Sequence, residues 1–471
     1  MHRSSIGGLT AAVFTFIFTL TFIPYSYCGE MKFDPLPDIK ETDSILVIAP
    51  HPDDETLGTG GLIRKALKSR ARVAVVFLTD GSRSHNIKDY EAFLKETGRS
   101  SYKGPLGELR RQETLQALHE LGLDMGNVTF LGYPDGGMRA LFNDYWDCDR
   151  LYRANNDFNK SDHSPYDFAY QKDAPYCGAN VAANLEEIFA ARKPNIIFYP
   201  DDGDFHEDHW ATSAFARYVA TKAGYDGEWY TYLVHKGDDW PAPPKYIPGT
   251  GLSLPPELAE LDASWLMLPL GRDETTRKEN AVNTYSSQLF LWKDYLSSFV
   301  RVNEIFGSYP YVTMSRVGEN PDFFRDGMPP SSFPDVRMDQ RTSSLQASED
   351  LTRMGLAYND EKAYLILQTA DAIEPSLVHH FHLRIWDKKQ FTRLDIRARG
   401  KDASYERKAG NSIIPAGKPG SEVRGNMMVV TIPFAPIKAA DEIMLSVDVN
   451  DPEDKIVIDL ISFRDMAYPK K

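Results

Sequence analysis

Cysteine is scarce in this chain of 471 residues, and long apolar runs are absent after its first thirty residues. The 53 lysines and arginines are outnumbered by 67 aspartates and glutamates. A formal net charge of −14 argues against nucleic acid or an anionic membrane as a partner. No low-complexity tract is present, so the composition is that of a folded protein rather than a disordered one. The length exceeds that of one typical domain. After Cys28, only Cys148 and Cys177 remain, and they form either a disulfide or two unpaired buried thiols.

The first 28 residues have the layout of a secretory signal peptide. Arg3 lies in a short basic start, and residues 9–23 are almost continuously apolar. Small residues at Ser26 and Cys28 favour cleavage after Cys28. We therefore expect a secreted protein, or one of the periplasm or cell envelope, with no stable transmembrane span after cleavage. An uncleaved anchor is one alternative. A lipoprotein acylated on Cys28 is another, which Tyr27 disfavours because a small residue is expected there.

The pattern along the chain predicts two structural parts. Strands alternate with helices over residues 40–325, which favours an α/β fold with a mostly parallel sheet flanked by helices. Within it, residues 278–306 read as one long helix. Residues 326–340 have the composition of a linker. Short strands separated by Asp, Asn, Gly and Pro then predict a smaller all-β sandwich domain over residues 341–471.

The most informative stretch is a short apolar strand, Ile45–Ala49, that ends in His51-Pro-Asp-Asp-Glu55. Adjacent carboxylates repel each other, so this cluster indicates a nearby cation or proton that offsets the repulsion. The ends of strands in an open parallel sheet are also where ligands bind. The alternative is a solvated acidic turn that caps a helix.

A second polar cluster, His206-Glu-Asp-His209, follows the predicted strand Asn195–Tyr199. Residues three apart lie on one side of a helical turn, so both imidazoles can face the same point. The alternative is a polar helix entry in which Asp208 interacts with the positive end of the helix dipole.

Together the two clusters supply the ligands of a catalytic zinc. His51, Asp54 and His209 give two nitrogens and one carboxylate, which leaves a fourth position for water. Asp53 is placed to take the proton of that water, and His206, when protonated, to stabilise the oxyanion and donate to the leaving nitrogen. No glycine fingerprint of a dinucleotide site follows the strand. The two histidines of the second cluster also lack the spacing of a His-Glu-x-x-His protease.

These motifs resemble those of the PIG-L/LmbE family of zinc-dependent de-N-acetylases. The resemblance covers about residues 42–320, and further matching pieces are Thr79-Asp-Gly81, Arg110-Arg-Gln-Glu113, Leu131-Gly-Tyr-Pro-Asp135-Gly136 and Tyr285-Ser-Ser-Gln288. It implies a Rossmann-like fold, the ligand roles just given, Zn²⁺ or another divalent ion such as Fe²⁺, and substrate contacts from Arg110 and Asp135. The alternatives are a helix-surface Arg110 and a turn Asp135. Glu207 stands where the family usually has a less charged residue.

The sequence therefore predicts an exported, metal-dependent hydrolase acting through a metal-activated water. Its expected substrate is an N-acetylglucosamine-type group of a glycolipid, glycan or small glycoconjugate. The alternatives are an amidase or esterase acting on a non-sugar substrate and a non-catalytic carbohydrate-binding surface protein. The C-terminal part faintly resembles family 9-type carbohydrate-binding modules, in which Tyr364, Phe381 and Trp386 could stack on sugars. Aromatic residues in short strands, however, more often belong to the core.

Overall fold

The computed structural model of this protein describes residues 33–468, except for residues 238, 341, 343–345, 388–389, 410–411, 414–417 and 439. The predicted signal peptide, residues 1–28, lies outside the described residues. In the part that is described, no helix combines the length and the apolar character needed to cross a membrane.

A mixed eight-stranded sheet forms the first structural part. Its elements, in chain order, are β1 (Asp34–Pro35), β2 (Ser44–Ala49), α1 (Asp54–Lys68), β3 (Arg72–Thr79), α2 (Ile87–Glu96), α3 (Leu106–Leu121), β4 (Val128–Tyr133), α4 (Met138–Asn143), α5 (Gly178–Arg192), β5 (Ile196–Pro200), α6 (Glu207–Lys222), β6 (Glu228–Tyr232), β7 (Ser264–Pro269), α7 (Arg272–Val282), α8 (Ser286–Ser298) and β8 (Asn303–Ser308). The strand order is β1-β7-β8-β6-β5-β2-β3-β4. Strand β8 is antiparallel to its two neighbours, and every other pair in the sheet is parallel.

Helices cover both faces of this sheet because its central strands are apolar on both sides. All six residues of β2 are buried. Leu46 and Ile48 belong to the cluster that contains α5 and α6, and the alternation of side chains turns Ile45 and Val47 to the opposite face. On that face α1 packs closely, since a Cβ on Gly58 would come within 2.4 Å of the Tyr232 ring. The absence of that side chain allows the helix to approach the sheet.

The rest of the described chain is rich in strands. Its elements are β9 (Val312–Thr313), β10 (Ser315–Arg316), α9 (Phe323–Asp326), β11 (Ser332–Pro334), β12 (Leu351–Tyr358), β13 (Lys362–Thr369), β14 (Val378–Asp387), β15 (Gln390–Arg399), β16 (Asp402–Ala409), β17 (Ser412–Ile413), β18 (Gly420–Arg424), β19 (Met427–Pro433), β20 (Glu442–Asn450) and β21 (Val457–Ala467). They form a six-stranded sheet, β10-β12-β13-β19-β18 with β11 beside β12, and a seven-stranded sheet, β17-β16-β15-β14-β20-β21-β9. Buried residues of both sheets make one hydrophobic cluster. The predicted fold class, an α/β part followed by a β-rich part, is confirmed.

Two local expectations change in the structure, and the alternatives for three aromatic residues are decided. The predicted long helix over residues 278–306 is wrong, because the segment holds the end of α7, a break at residues 283–285, α8 and most of strand β8. The predicted linker, residues 326–340, contains β11, which pairs with β12. The three aromatic side chains considered for sugar stacking are buried, with exposed fractions of 7% for Tyr364, 0% for Phe381 and 7% for Trp386. They belong to the core and present no face to a sugar.

The outer face of the seven-stranded sheet packs directly against α4 and α6, and residues of both parts share one hydrophobic cluster. The ring of Phe463 lies 5.3 Å from that of Phe142. Polar contacts flank the aromatic ones. Arg217, on α6, binds Asp465 of β21 and also the carboxylate of Asp202, in the loop after β5. Ser462 donates to the Asp202 carbonyl at 2.9 Å. The β-rich part therefore holds the helix and the loop that surround the second polar cluster.

Candidate active site

Neighbouring strands of the first sheet deliver the polar clusters to one edge. In the order β6-β5-β2-β3-β4, each strand ends on that edge, because these strands are all parallel. The loop after β2 carries residues 51–55, the loop after β5 carries residues 201–206, and the loop after β4 carries Asp135. The two sequence motifs, some 150 positions apart, therefore lie side by side.

His51, Asp54 and His209 converge on one point. Oδ2 of Asp54 lies 3.0 Å from Nδ1 of His51 and 3.0 Å from Nε2 of His209. Two ligand atoms on one tetrahedral zinc ion lie about 3.3 Å apart, so these separations suit a shared ion. His209 has no exposed surface, and neither of its ring nitrogens makes a hydrogen bond of good geometry. A buried imidazole nitrogen without a hydrogen bond, facing a carboxylate and a second imidazole, fits a divalent cation.

A second layer of carboxylates orients the two imidazoles. Asp204 places Oδ2 3.0 Å from Nδ1 of His209, and Asp208 places Oδ2 3.2 Å from Nε2 of His51. Each contact leaves the other ring nitrogen directed at Asp54, the usual arrangement behind a metal-binding histidine. Burial acts to lower the pKa of His209, but Asp204 and Asp54 outweigh it and raise the pKa to about 9. A divalent ion bound there would compete with that proton.

Asp53 lies beside this point in a different orientation. Its side chain faces Arg110, with Oδ2 3.0 Å from the guanidinium Nη2. Burial raises the pKa of Asp53 to about 7, against the opposing effect of Arg110. The backbone φ of Asp53 is +147°, which residues with a side chain rarely adopt, and such conformations concentrate at functional sites. Asp53 can therefore exchange a proton near neutral pH.

His206 caps the N-terminus of α6. Its Nδ1 accepts a hydrogen bond from the Asp208 backbone N–H at 3.1 Å, so the ring proton of the neutral side chain is on Nε2. Burial and the neighbouring His51 lower the pKa of His206 to about 4. This differs from the protonated His206 expected from the sequence, because a second proton on Nδ1 would oppose the Asp208 N–H. A neutral His206 still offers one donor to an oxyanion.

Arg110 and Asp135 both line the cleft, but protein contacts already occupy them. Arg110 is 3% exposed and donates to the carbonyls of Pro52 and Gly81 at 2.7 Å each, in addition to its contact with Asp53. Asp135 lies 3.4 Å from Nε2 of His51 and accepts from the Arg83 backbone N–H at 2.7 Å. Arg110 thus positions Asp53. The substrate contacts predicted for Arg110 and Asp135 stay predictions.

Two more of the sequence motifs hold the walls of the site. Glu55 has no exposed surface and accepts from the Tyr285 hydroxyl at 2.6 Å. Glu113 accepts from the hydroxyls of Ser286 and Ser287 at 2.6 Å each. These contacts tie α1 and α3 to the start of α8, which forms one side of the cleft.

The cleft above the cluster has a volume of about 820 Å³. Its lining residues are His51, Asp53, Asp54, Leu57, Arg83, Ser84, Arg110, Asp135, Gly136, Phe205, His206, His235, Lys236, Gly237, Gln288, Trp292, Tyr295 and Leu296. Sequence reasoning missed Asp204, His235 and Tyr295. His235 follows strand β6 and falls at the same sheet edge, so the strand-end rule could have found it. Asp204 follows strand β5, so the same rule could have found it. Nothing in the sequence around Tyr295 points to the cleft.

Comparisons with known proteins give one family match and several relatives. Residues 46–220 match the PIG-L family model, described as GlcNAc-PI de-N-acetylase. The chain is 27% identical over 264 residues to a 1D-myo-inositol 2-acetamido-2-deoxy-alpha-D-glucopyranoside deacetylase of Saccharopolyspora erythraea, covering 52% of this chain and 84% of that protein. It is 28% identical over 169 residues to a probable N-acetyl-alpha-D-glucosaminyl L-malate deacetylase of Bacillus subtilis, covering 36% of this chain and 56% of that protein, about half its length. The solved N,N'-diacetylchitobiose deacetylase of Pyrococcus horikoshii is 18% identical, with a TM-score of 0.34, over 57% of this chain and 86% of that one.

Proposed function

We propose that this chain is a metal-dependent deacetylase of the PIG-L family, whose model matches residues 46–220. Its substrate is an N-acetylglucosamine-type group of a glycolipid, glycan or small glycoconjugate, from which it releases acetate. The observation that carries the proposal is the convergence of His51, Asp54 and His209 on one point, with Asp53 in the same cleft. The names of the matched relatives support the substrate class.

Three residues would hold the ion. His51, Asp54 and His209 offer two imidazole nitrogens and a carboxylate oxygen, a ligand set that Zn²⁺ and Fe²⁺ both accept. Such an ion, when bound, polarises the amide carbonyl and lowers the pKa of a water molecule. The carboxylates of Asp204 and Asp208 keep the two imidazoles in the tautomers that binding requires.

Asp53 moves the proton. With a pKa near 7, its carboxylate accepts a proton from the attacking water at neutral pH. The resulting carboxylic acid then gives that proton to the leaving nitrogen, so that acetate and the free amine are the products. Arg110 keeps the carboxylate in place and favours its ionised form.

His206 stabilises the charge that develops on the carbonyl oxygen. Its Nε2–H is free to donate, because Nδ1 is held by the backbone of α6. A fixed donor in a partly desolvated cleft stabilises an oxyanion more than water does. Because His206 is neutral in this geometry, the proton for the leaving nitrogen comes from Asp53 rather than from His206.

The size of the cleft agrees with a small saccharide group. Pockets for small ligands measure about 300–1,000 Å³, and this cleft falls within that range. The Trp292 ring lies at the wall with 40% of the residue exposed, and its face can stack on a sugar ring. A longer glycan would extend from the opening of the cleft into solvent.

We also propose that the protein is exported. The layout of residues 1–28 supports export, and so does the pair Cys148 and Cys177, whose Cα atoms lie 5.2 Å apart and whose sulfurs are bonded. Disulfides persist in oxidising compartments and are rare in the cytosol.

Acetate release tests the proposal. Bound metal is removed from the full mature chain with a chelator, and the protein is reloaded with Zn²⁺ or Fe²⁺. It is then assayed with three substrates: N-acetylglucosaminyl inositol, N-acetylglucosaminyl malate and diacetylchitobiose. Simple acyl amides and esters without a sugar are assayed in parallel. We expect acetate from the N-acetyl sugars only, loss of activity on chelation and recovery with the ion. Turnover of the non-sugar amides or esters alone would overturn the proposed substrate class, and no turnover by the metal-loaded protein would overturn the enzymatic function.

A further inference from the structure

The backbone of His235 is fixed to the loop that leads into the second motif. Its N–H donates to Oδ2 of Asp204 at 2.9 Å, and its carbonyl accepts from the Phe205 N–H at 2.9 Å. Asp204 is the carboxylate that orients His209, so one side chain positions both imidazoles. The His235 ring consequently lies 4.7 Å from that of His209 and 5.2 Å from that of His206, measured between centroids.

The hydrogen bonds around His235 also define its tautomer. The Tyr295 hydroxyl donates its proton to the Val234 carbonyl at 2.8 Å, and its oxygen lies 3.2 Å from Nδ1 of His235. Since that hydroxyl proton is already used, the oxygen accepts from Nδ1–H. The lone pair of His235 is therefore on Nε2, which is the state of an imidazole that binds a metal ion.

Four side chains can then reach one ion. One ligand atom from each of His51, Asp54, His209 and His235 lies within 4.8 Å of the other three. Ligand atoms on opposite sides of one ion lie up to about 4.2 Å apart, so a contraction of at most about 0.6 Å brings all four atoms into coordination range. We propose that His235 is a fourth protein ligand, which makes the centre a set of three imidazoles and one carboxylate. This inference rests on the metal dependence of the proposed function.

The fourth ligand changes which ions support hydrolysis. A zinc ion with four protein ligands resembles a closed structural site and leaves no position for water unless its coordination expands to five. Ions that readily take five or six ligands, such as Fe²⁺ and Co²⁺, keep an open position beside the same four side chains. We therefore expect Zn²⁺ to bind more tightly than Fe²⁺ or Co²⁺ and to support slower turnover.

The number of imidazole ligands is measured by X-ray absorption spectroscopy on the full chain loaded with one equivalent of Zn²⁺. Three imidazoles are expected, and two would overturn the inference. The measurement uses the unaltered protein and is independent of both activity and folding of a variant.

Zinc affinity gives the second test. His235→Ala is compared with His119→Ala, a matched change at an exposed histidine on α3, by competition with a chromophoric chelator. Removal of a direct ligand should weaken binding by more than the about 10- to 100-fold typical of an outer hydrogen-bond partner. Tyr295→Phe, which removes only the partner of Nδ1, should show that smaller loss. Equal affinities for His235→Ala and His119→Ala would overturn the inference, provided that both variants show the same thermal unfolding as the unaltered protein.

Failure of this inference is distinguishable from failure of the proposed function. Acetate release with two imidazoles on the ion would refute the role of His235 and leave the deacetylase intact. Three imidazoles without acetate release would refute the deacetylase and leave the four-ligand centre intact.

Discussion

Asp204→Asn is the substitution that tests the metal centre most sharply without touching a direct ligand. Asp204 is 3% exposed and serves several donors at once. Oδ1 accepts from the His206 N–H at 2.9 Å, while Oδ2 accepts from the N–H groups of Val234 and His235 and faces Nδ1 of His209 at 3.0 Å. An amide keeps the shape of the carboxylate but has one acceptor oxygen instead of two. Whichever way it turns, its NH₂ group faces at least one N–H donor.

The expected cost follows from these contacts. One buried donor left without an acceptor costs about 1–3 kcal/mol of folding stability. For the metal, Nδ1 of His209 loses the facing negative charge that favours a proton there. The tautomer with its proton on Nε2 then becomes more populated, and that nitrogen cannot bind an ion. Loss of such a partner weakens metal affinity by about 10- to 100-fold, equivalent to about 1.4–2.7 kcal/mol.

The assay is zinc affinity by chelator competition at pH 7.5, together with thermal unfolding of the metal-free protein. Asp162→Asn is the matched control, since Asp162 also pairs with a histidine, at 2.8 Å from Nδ1 of His163, but at an exposed position. We expect that control to bind zinc as the unaltered protein does. If Asp204→Asn also bound zinc with unchanged affinity, Asp204 would not set the tautomer of His209 and the assignment of the outer carboxylates would be refuted.

Three further predictions concern other parts of the molecule. Asp53→Asn should retain the ion, as measured by metal analysis, yet lose about 10²- to 10⁴-fold in turnover, the usual contribution of a general base; metal loss equal to that of His209→Ala would instead make Asp53 a ligand. Burial disfavours the charged form of His382, but hydrogen bonds to Asp395 and Asp448 outweigh that effect and raise its pKa from 6.5 to about 9. The contribution of the protonated ring to folding stability is therefore fully present below pH 6.5 and is lost as the pH rises through about 9. His382→Gln should remove about 3 kcal/mol of this pH-dependent stability. The denaturant midpoint of the variant should therefore change less between pH 6.5 and 9 than that of the unaltered protein, and an equal change in both would refute the prediction. A chain ended at residue 325 should be insoluble, because it uncovers the aromatic cluster on α4 and α6; a soluble, monomeric truncation would contradict this.

Much of the site could be predicted because its residues follow one rule. Polar residues placed directly after buried strands cannot be explained by packing, and parallel strands bring their ends to one edge. That rule locates His51, Asp54 and His209 from the sequence alone. The rule predicts that these residues lie close together but does not predict how their side chains are oriented. The protonation of His206 depends on which backbone group faces Nδ1, and no sequence pattern reports that contact.

The remaining differences arise where tertiary structure overrides a local pattern. Residues 278–306 carry no proline or glycine at the break between α7 and α8, so the sequence reads as continuous helix until Gly307. Inside α8, Trp292 leaves helical geometry, with φ −127° and ψ 41°, and its ring lies against His85 at the cleft. In the sequence, Asp202 is one of several acidic residues in a polar loop. Its partners Arg217 and Arg464 are about 15 and 260 positions away, so only the folded chain reveals what it does.

The contacts of Asp202 have a consequence for how this protein could be re-engineered or diversified. A module that is merely appended can be exchanged, lost or moved without altering the catalyst beside it. Here strand β21 supplies side chains that hold the loop bearing His206. The β-rich part therefore helps to support the walls of the candidate active site. A chimera that keeps activity would have to transplant β21 and its arginine–aspartate contacts together with the catalytic half.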